Sequence, residues 1–406
     1  MHPSPDILAG LALVLVTAKA MGDLFERLKQ PAVLGEIVAG VLLGNLDLLG
    51  WQWFERLSAG DAFVGLAELG AILLLFEVGL ESDLGKMARV GGSAAAVAVV
   101  GVVLPIALGF GVHWMLVDSA TWHVHLFVGA ILAATSVGIT ARVLRDMGRL
   151  DTPTARVILG AAVIDDVIGL VVLAIAVGVV RAADGGHALA AWDIVLIALR
   201  AFLFLAGASL LGRPASRALF RAVSFLHIRG VLLAFALAFC FALSYLAALV
   251  GLHPIVGAFA AGLVLDEVSY RELGEREEHG LEVQLHPIAG FLVPVFFVYT
   301  GARVDLGAVS GDILLLAGLL TLVAVIGKQA CALVAFGPGV DRLSVGIGMI
   351  PRGEVGLIFA AVGTTTLLAG APVISAGSYA AAVMVVLVTT LVTPSLLTWS
   401  LGRKVT

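Results

Sequence analysis

The sequence predicts an all-α polytopic membrane protein of about thirteen transmembrane helices, arranged as inverted-topology repeats with two crossing broken helices. Three observations predict it. Of 406 residues, 60% are hydrophobic and only 13% charged, about half the charge of an ordinary soluble domain. Apolar runs of bilayer length recur along the whole chain. Two stretches of the chain resemble each other in the same order.

Split at Gly, Pro and charge clusters, the runs fall near 7–23, 31–48, 61–80, 91–116, 125–144, 156–180, 190–211, 229–250, 253–267, 286–302, 311–336, 344–369 and 377–401. The first follows Met1-His2-Pro3-Ser4-Pro5-Asp6, which lacks the basic region of a signal peptide, so this span is expected to be retained. The second and ninth are short and open at Pro31 and Pro254. The fifth and twelfth carry helix-weakening residues, and the sixth is interrupted by charge. Cys240 and Cys331 both lie in apolar runs and say nothing about redox compartment. A net charge of -5 gives no argument for nucleic acid.

Basic residues set the expected orientation. Of the 24 lysines and arginines, Arg56, Arg181 and Arg303 fall in loops on one side, and Lys19, Arg200, Lys328 and Arg352 within spans. All the rest lie in loops on the other side, so the N-terminus is expected outside and the C-terminus in the cytoplasm.

The repeat aligns Pro31 to Gly40 with His253 to Gly262, 222 residues later, and the same offset pairs Gly79 and Asp83 with Gly301 and Asp305. An offset of 218 pairs Ser136-Val137-Gly138-Ile139 with Glu354-Val355-Gly356-Leu357. The matched spans are an odd number apart, so they cross in opposite senses. Such transporter repeats hold their substrate near the midplane, often between discontinuous helices. The fifth span, with Ala134-Thr135-Ser136-Val137-Gly138, and the twelfth, with Pro351-Arg352-Gly353-Glu354, are expected to unwind there. The alternative for Thr135 and Ser136 is simple helix packing by back-bonding.

Asp165 and Asp166 interrupt the sixth span. One charge at mid-membrane costs about 2.5–3.5 kcal/mol on insertion scales, so an adjacent pair reads as an ion or proton site. Neighbours on a helix point about 100° apart, so the two cannot face one partner. Asp166 is expected toward an aqueous cavity and Asp165 toward Lys328, which lies too deep in its span to snorkel. A hard monovalent cation would find oxygen ligands in these carboxylates, the Thr135 and Ser136 hydroxyls and freed carbonyls. Desolvation penalises a bare carboxylate, so protons and cation compete for the site.

Arg352 and Glu354 neutralise helix ends or each other, or take part in transport. Glu36 either lines an entry funnel or is a solvated interfacial residue. Glu77, Lys19 and Arg200 carry no site argument, and His253 caps a turn or responds to pH. His123 and His125 alternate as metal ligands do, without a third. The stretch Glu272 to Glu282 reads as a solvated cytoplasmic loop. An intramembrane aspartyl protease would need its carboxylates on separate helices, and a passive channel would need a filter loop that is not evident.

At Gln30 to Glu36, Ala134 to Leu144, Gly160 to Asp166 and Pro351 to Leu357, the chain resembles bacterial sodium/proton antiporters of the monovalent cation:proton antiporter-2 family, NapA-type. The resemblance implies the NhaA-like antiporter fold, no cofactor, transport of Na+ or Li+ against H+, a homodimer and elevator-like alternating access in the bacterial inner membrane. It implies dimerisation or panel helices in 1–86 and 229–306, ion-carrying core helices in 87–182 and 307–406, and a linker helix in 183–228. It maps the indispensable carrier onto Asp166, the salt-bridged pair onto Asp165 and Lys328, and the crossover hydroxyls onto Thr135 and Ser136. The double aspartate with lysine resembles electrogenic members. Potassium-efflux relatives typically have a glutamine before the aspartate, although a K+/H+ antiporter on the same scaffold stays open. Glu77 departs from the family's usual apolar residue.

Overall fold

Helix-breaking and capping residues set several of the span boundaries. The computed structural model describes residues 5–81, 91–118, 120–184, 191–223, 230–265 and 280–402. The first half runs α1 (Pro5–Arg27), α2 (Ala32–Gly44), α3 (Trp53–Ser58), α4 (Asp61–Glu81), α5 (Gly92–Leu116), α6 (Trp122–Ile131), α7 (Val137–Asp146) and α8 (Pro153–Asp184). Helix α9 (Ala191–Val223) leads to α10 (Val231–Leu249), α11 (Pro254–Val264), α12 (Leu281–Ala302), α13 (Gly311–Gln329) and α14 (Cys331–Val334). The chain then forms α15 (Arg342–Gly348), α16 (Glu354–Thr365), a hairpin of β1 (Leu367–Leu368) and β2 (Ala371–Pro372), and α17 (Ala376–Gly402). Among the described residues, nine helices are long and apolar enough to span a bilayer, and α2, α6, α11 and α16 are shorter apolar helices. Together they account for the thirteen expected runs.

Local chemistry explains the boundaries. Pro153 and Pro254 open α8 and α11, where a missing N–H costs nothing. Ser310 caps α13 by accepting from the Ile313 N–H at 3.4 Å. Both expected breaks are present, between α6 and α7 and between α15 and α16.

Some boundaries differ from the hydropathy reading. The seventh run, expected to stop at 211, continues as helix to Val223. Hydropathy falls there because of Arg213, Arg217 and Arg221, but arginine is a good helix former and the backbone does not stop at the bilayer edge. The tenth run begins at Leu281 rather than 286, with Pro287 inside the helix. Helix α3 and the hairpin were not expected. Asp83, the stretch 272–279, Lys86, Arg89, Arg229, Arg271, Arg276, Arg403 and Lys404 lie outside the described residues.

Packing separates two groups of helices. In one, α4 lies against α11 and α12, α2 against α1 and α12, and α10 against α11. In the other, α5 packs on α6, α8 and α13, and α13 on α17. Helix α9 touches both groups, through α8 and α11. The repeat is visible as paired close approaches. A Cβ on Gly40 would strike the Val298 carbonyl beside Gly301, and one on Gly262 would strike the Phe76 carbonyl beside Gly79. Adding 222 to Gly40, Phe76 and Gly79 gives Gly262, Val298 and Gly301, so each crossing is the symmetry mate of the other.

Candidate ion-binding site

The site forms where the two broken helices cross beside the midpoint of α8. Unwinding after Ile131 and before Glu354 frees backbone groups that a continuous helix would satisfy. The Ser136 N–H donates to the Pro351 carbonyl at 2.8 Å, joining the two breaks. Thr140 Oγ1 donates to the Gly348 carbonyl at 2.7 Å. The Arg352 guanidinium, fully buried, donates to the carbonyls of Ala134 at 3.2 Å and Ala324 at 3.3 Å. Thr390 Oγ1 donates to the Arg352 carbonyl, and the Arg352 N–H donates to Thr389 Oγ1 at 3.3 Å.

These contacts place charge against helix ends. Arg352 meets the Ala134 carbonyl, just past the end of α6 and so at the negative end of its dipole. Glu354 is the first residue of α16 and accepts from the hydroxyl of Ser136, the N-cap of α7, at 3.2 Å. Its carboxylate therefore sits at the positive ends of two helices. Gly353 keeps the crossing close, because a Cβ there would overlap the Ser136 side chain.

Beside the crossing, α8 presents Asp165 and Asp166, both buried. Lys328 on α13, also buried, places Nζ 3.0 Å from Asp165 Oδ1 and 3.3 Å from Oδ2. The pair thus offsets one carboxylate and leaves the other. Asp166 Oδ1 is buried with no hydrogen-bond partner, and Thr135 Oγ1 is in the same condition. Asp166 shares its field with Asp165, Glu354 and Lys328. A buried oxygen without a partner is costly unless a proton or cation completes it.

The structure brings Asp165, Asp166, Lys328, Ser136, Glu354 and Arg352 into one connected neighbourhood at the crossing. Glu36 is placed differently. It is buried and pairs with the exposed Lys19 at 3.8 Å, linking α1 and α2. His125 turns to His113, with Nδ1 to Nδ1 at 2.7 Å, while His123 stacks on Trp122. His253 caps α11. Glu77 shares its field with Glu81, one turn on, and Glu81 with Glu354 and Arg145.

Sequence reading missed Thr389 and Thr390, although adjacent threonines inside an apolar run are a usable signal. It also missed Tyr379, buried on α17, whose hydroxyl donates to the Thr300 carbonyl on α12 at 2.7 Å and ties the two helix groups together. A cleft of about 720 Å³ separates the groups on the side of the α1–α2 turn, with Gln30, Arg142 and Thr398 among its walls. Arg142 spans it toward Glu26 at 3.8 Å.

Comparison with known proteins follows the same line. Residues 11–402 match the family model described as "Sodium/hydrogen exchanger, transmembrane". The chain is 38% identical to the high-affinity Na(+)/H(+) antiporter NhaS3 of Synechocystis, over 96% of this chain and 90% of that protein. It is 33% identical to the Na(+)/H(+)-K(+) antiporter GerN of Bacillus cereus, over 97% and 96%. The fold superposes on the sodium proton antiporter MjNhaP1 of Methanocaldococcus jannaschii with a TM-score of 0.71 at 18% identity, covering 98% and 99% of the two chains. This is a multi-pass membrane cation/proton antiporter, a transporter and not an enzyme, whose cation and protons are cargo and which needs no cofactor. The chain belongs to the transmembrane sodium/hydrogen exchanger family.

Proposed function

We propose that the chain exchanges Na+ or Li+ for protons, electrogenically, by competition at the Asp165/Asp166 site with Lys328 coupled to it. The observation that carries this reading is the asymmetry of the adjacent carboxylates. Asp165 is held by Lys328, while the adjacent Asp166 keeps a buried oxygen without a partner.

Charge counting gives the cycle. Asp165 with Lys328 and Arg352 with Glu354 are offsetting pairs, so the site is one positive charge short when Asp166 is ionised. A proton on Asp166 supplies that charge. A cation that displaces it takes oxygens from Asp166, Asp165, Thr135 and Ser136, and draws Asp165 away from Lys328. Lys328, desolvated and without its partner, then releases a second proton. Two protons leave for one cation, so net charge moves. Returning the site to the other side of the membrane with protons in place completes the exchange.

The two packing groups support the assignment of α1, α2, α4 and α10–α12 as the panel and α5–α8 and α13–α17 as the moving core, with α9 as linker. The basic loops support an N-terminus outside and a C-terminus in the cytoplasm of the bacterial inner membrane. The assembly we propose is a homodimer. A K+/H+ exchanger on the same scaffold is the second reading, favoured by the name of the Bacillus cereus relative. Dye-monitored proton efflux from proteoliposomes, on addition of Na+, Li+ and K+ in turn, distinguishes the two. A response to K+ alone overturns the sodium reading.

A further inference from the structure

Helix α9 packs on both α8, which bears the aspartates, and α11 of the opposite group. Its remaining surface is outward. Leu203, Leu210 and Leu211 are exposed, Leu210 by 75%. Such a face on a spanning helix meets acyl chains.

The face changes character toward the end of the helix. Arg213, Arg217 and Arg221 recur at four-residue steps and so lie on one side of the helix. Leu203, Leu210 and Arg217, seven apart, fall on one line, with about 10 Å of rise between Leu210 and Arg217. The line that meets acyl chains therefore runs directly into guanidinium groups near headgroup depth. Arg217 is exposed, and the Nε of Arg213 is buried with no hydrogen-bond partner. Among the described residues, neither Arg213 nor Arg217 has a carboxylate partner.

We propose that this face binds an anionic phospholipid, its phosphate held by Arg213 and Arg217 and an acyl chain laid along Leu210 and Leu203. The planar fork of arginine matches phosphate oxygens, and the exposed Arg217 with the half-buried Arg213 one turn before it offers two such forks side by side. Basic residues between transmembrane helices at the headgroup level are a recognised setting for such lipids. Because α9 joins the ion helix to α11, a lipid held there ties the link to the membrane surface and sets the rate at which the site changes sides.

The test compares wild type with R213Q/R217Q, neither residue being part of the ion site. Each protein is purified and weighed intact by native mass spectrometry after exposure to phosphatidylglycerol. Each is then reconstituted in phosphatidylcholine alone or with added phosphatidylglycerol. Wild type is expected to retain phosphatidylglycerol and to exchange several-fold faster with it. The variant is expected to lose most of the retained lipid and to run at the wild-type phosphatidylcholine rate in both membranes. If the variant retains the lipid and responds as wild type does, the proposal is overturned. It is also overturned if the variant alters only the dimer-to-monomer ratio, which would assign the face to a second copy of the chain. Should the double variant not fold, R217Q alone, with its exposed side chain, carries the same comparison. Lipid retention is independent of transport, so its loss or persistence is read even if the exchange assignment fails.

Discussion

Lys328 on α13 and Asp165 on α8 form a fully buried ion pair at 3.0 Å, 163 residues apart in the chain. The pair makes Asp165 unlike its neighbour Asp166, although the two are adjacent on one helix. Removing one partner of a buried pair leaves an uncompensated charge, which costs roughly 3–5 kcal/mol. Removing both costs far less.

The first prediction is therefore a non-additive cycle. Lys328→Met is expected to lower the melting temperature sharply, whereas Asp165→Asn with Lys328→Met is expected to recover most of the loss. Melting curves in detergent read the difference. Equal losses in the single and double variants would show that the pair does not act as a unit.

In the proposed cycle, losing Lys328 also removes the second proton. The double variant is expected to exchange one cation for one proton, with a rate insensitive to membrane potential. Cation flux measured with and without a potassium–valinomycin potential checks this. A response to potential as large as in wild type contradicts it.

The proposed competition at Asp166 fixes the sign of the pH dependence. A protonated carboxylate cannot hold the cation, so lowering the pH must raise the apparent KM for the cation. With one competing proton the rise is about tenfold per pH unit, and with two it approaches a hundredfold. The maximal rate at saturating cation is expected to change much less. A KM that is flat across roughly two pH units around neutral would instead place control outside the site.

Two glycines test the repeat packing. Gly40→Ala is expected to prevent correct folding, because its new Cβ meets the Val298 backbone. Gly111→Ala, on α5, meets no atom within 4 Å and is expected to be neutral or to stabilise by up to about 1 kcal/mol. Yield and monodispersity after extraction report both.

How much of this was legible in the sequence depends on range. Asp165, Asp166 and Lys328 stood out because a charge inside an apolar run has few readings. Pro351 and Gly353 marked a break because both weaken a helix locally. The Lys19–Glu36 pair and the His113–His125 contact depend on which helices become neighbours, and no local pattern carries that. Thr389 and Thr390 looked like ordinary helix hydroxyls until the break across from them supplied a carbonyl and an N–H to satisfy. The extra turns of α9 escaped because hydropathy registers the membrane and not the helix.

The most direct test of the central claim is proton efflux from proteoliposomes with an internal pH dye, for wild type and Asp166→Asn, with sodium or lithium added outside. The account predicts dissipation of the proton gradient in wild type. In the variant it predicts at least about a hundredfold slower exchange, the scale expected when an essential proton-transferring group is removed, with melting temperature unchanged or higher. A variant that folds and still exchanges at a wild-type rate would contradict the assignment of Asp166 as the group for which cation and proton compete.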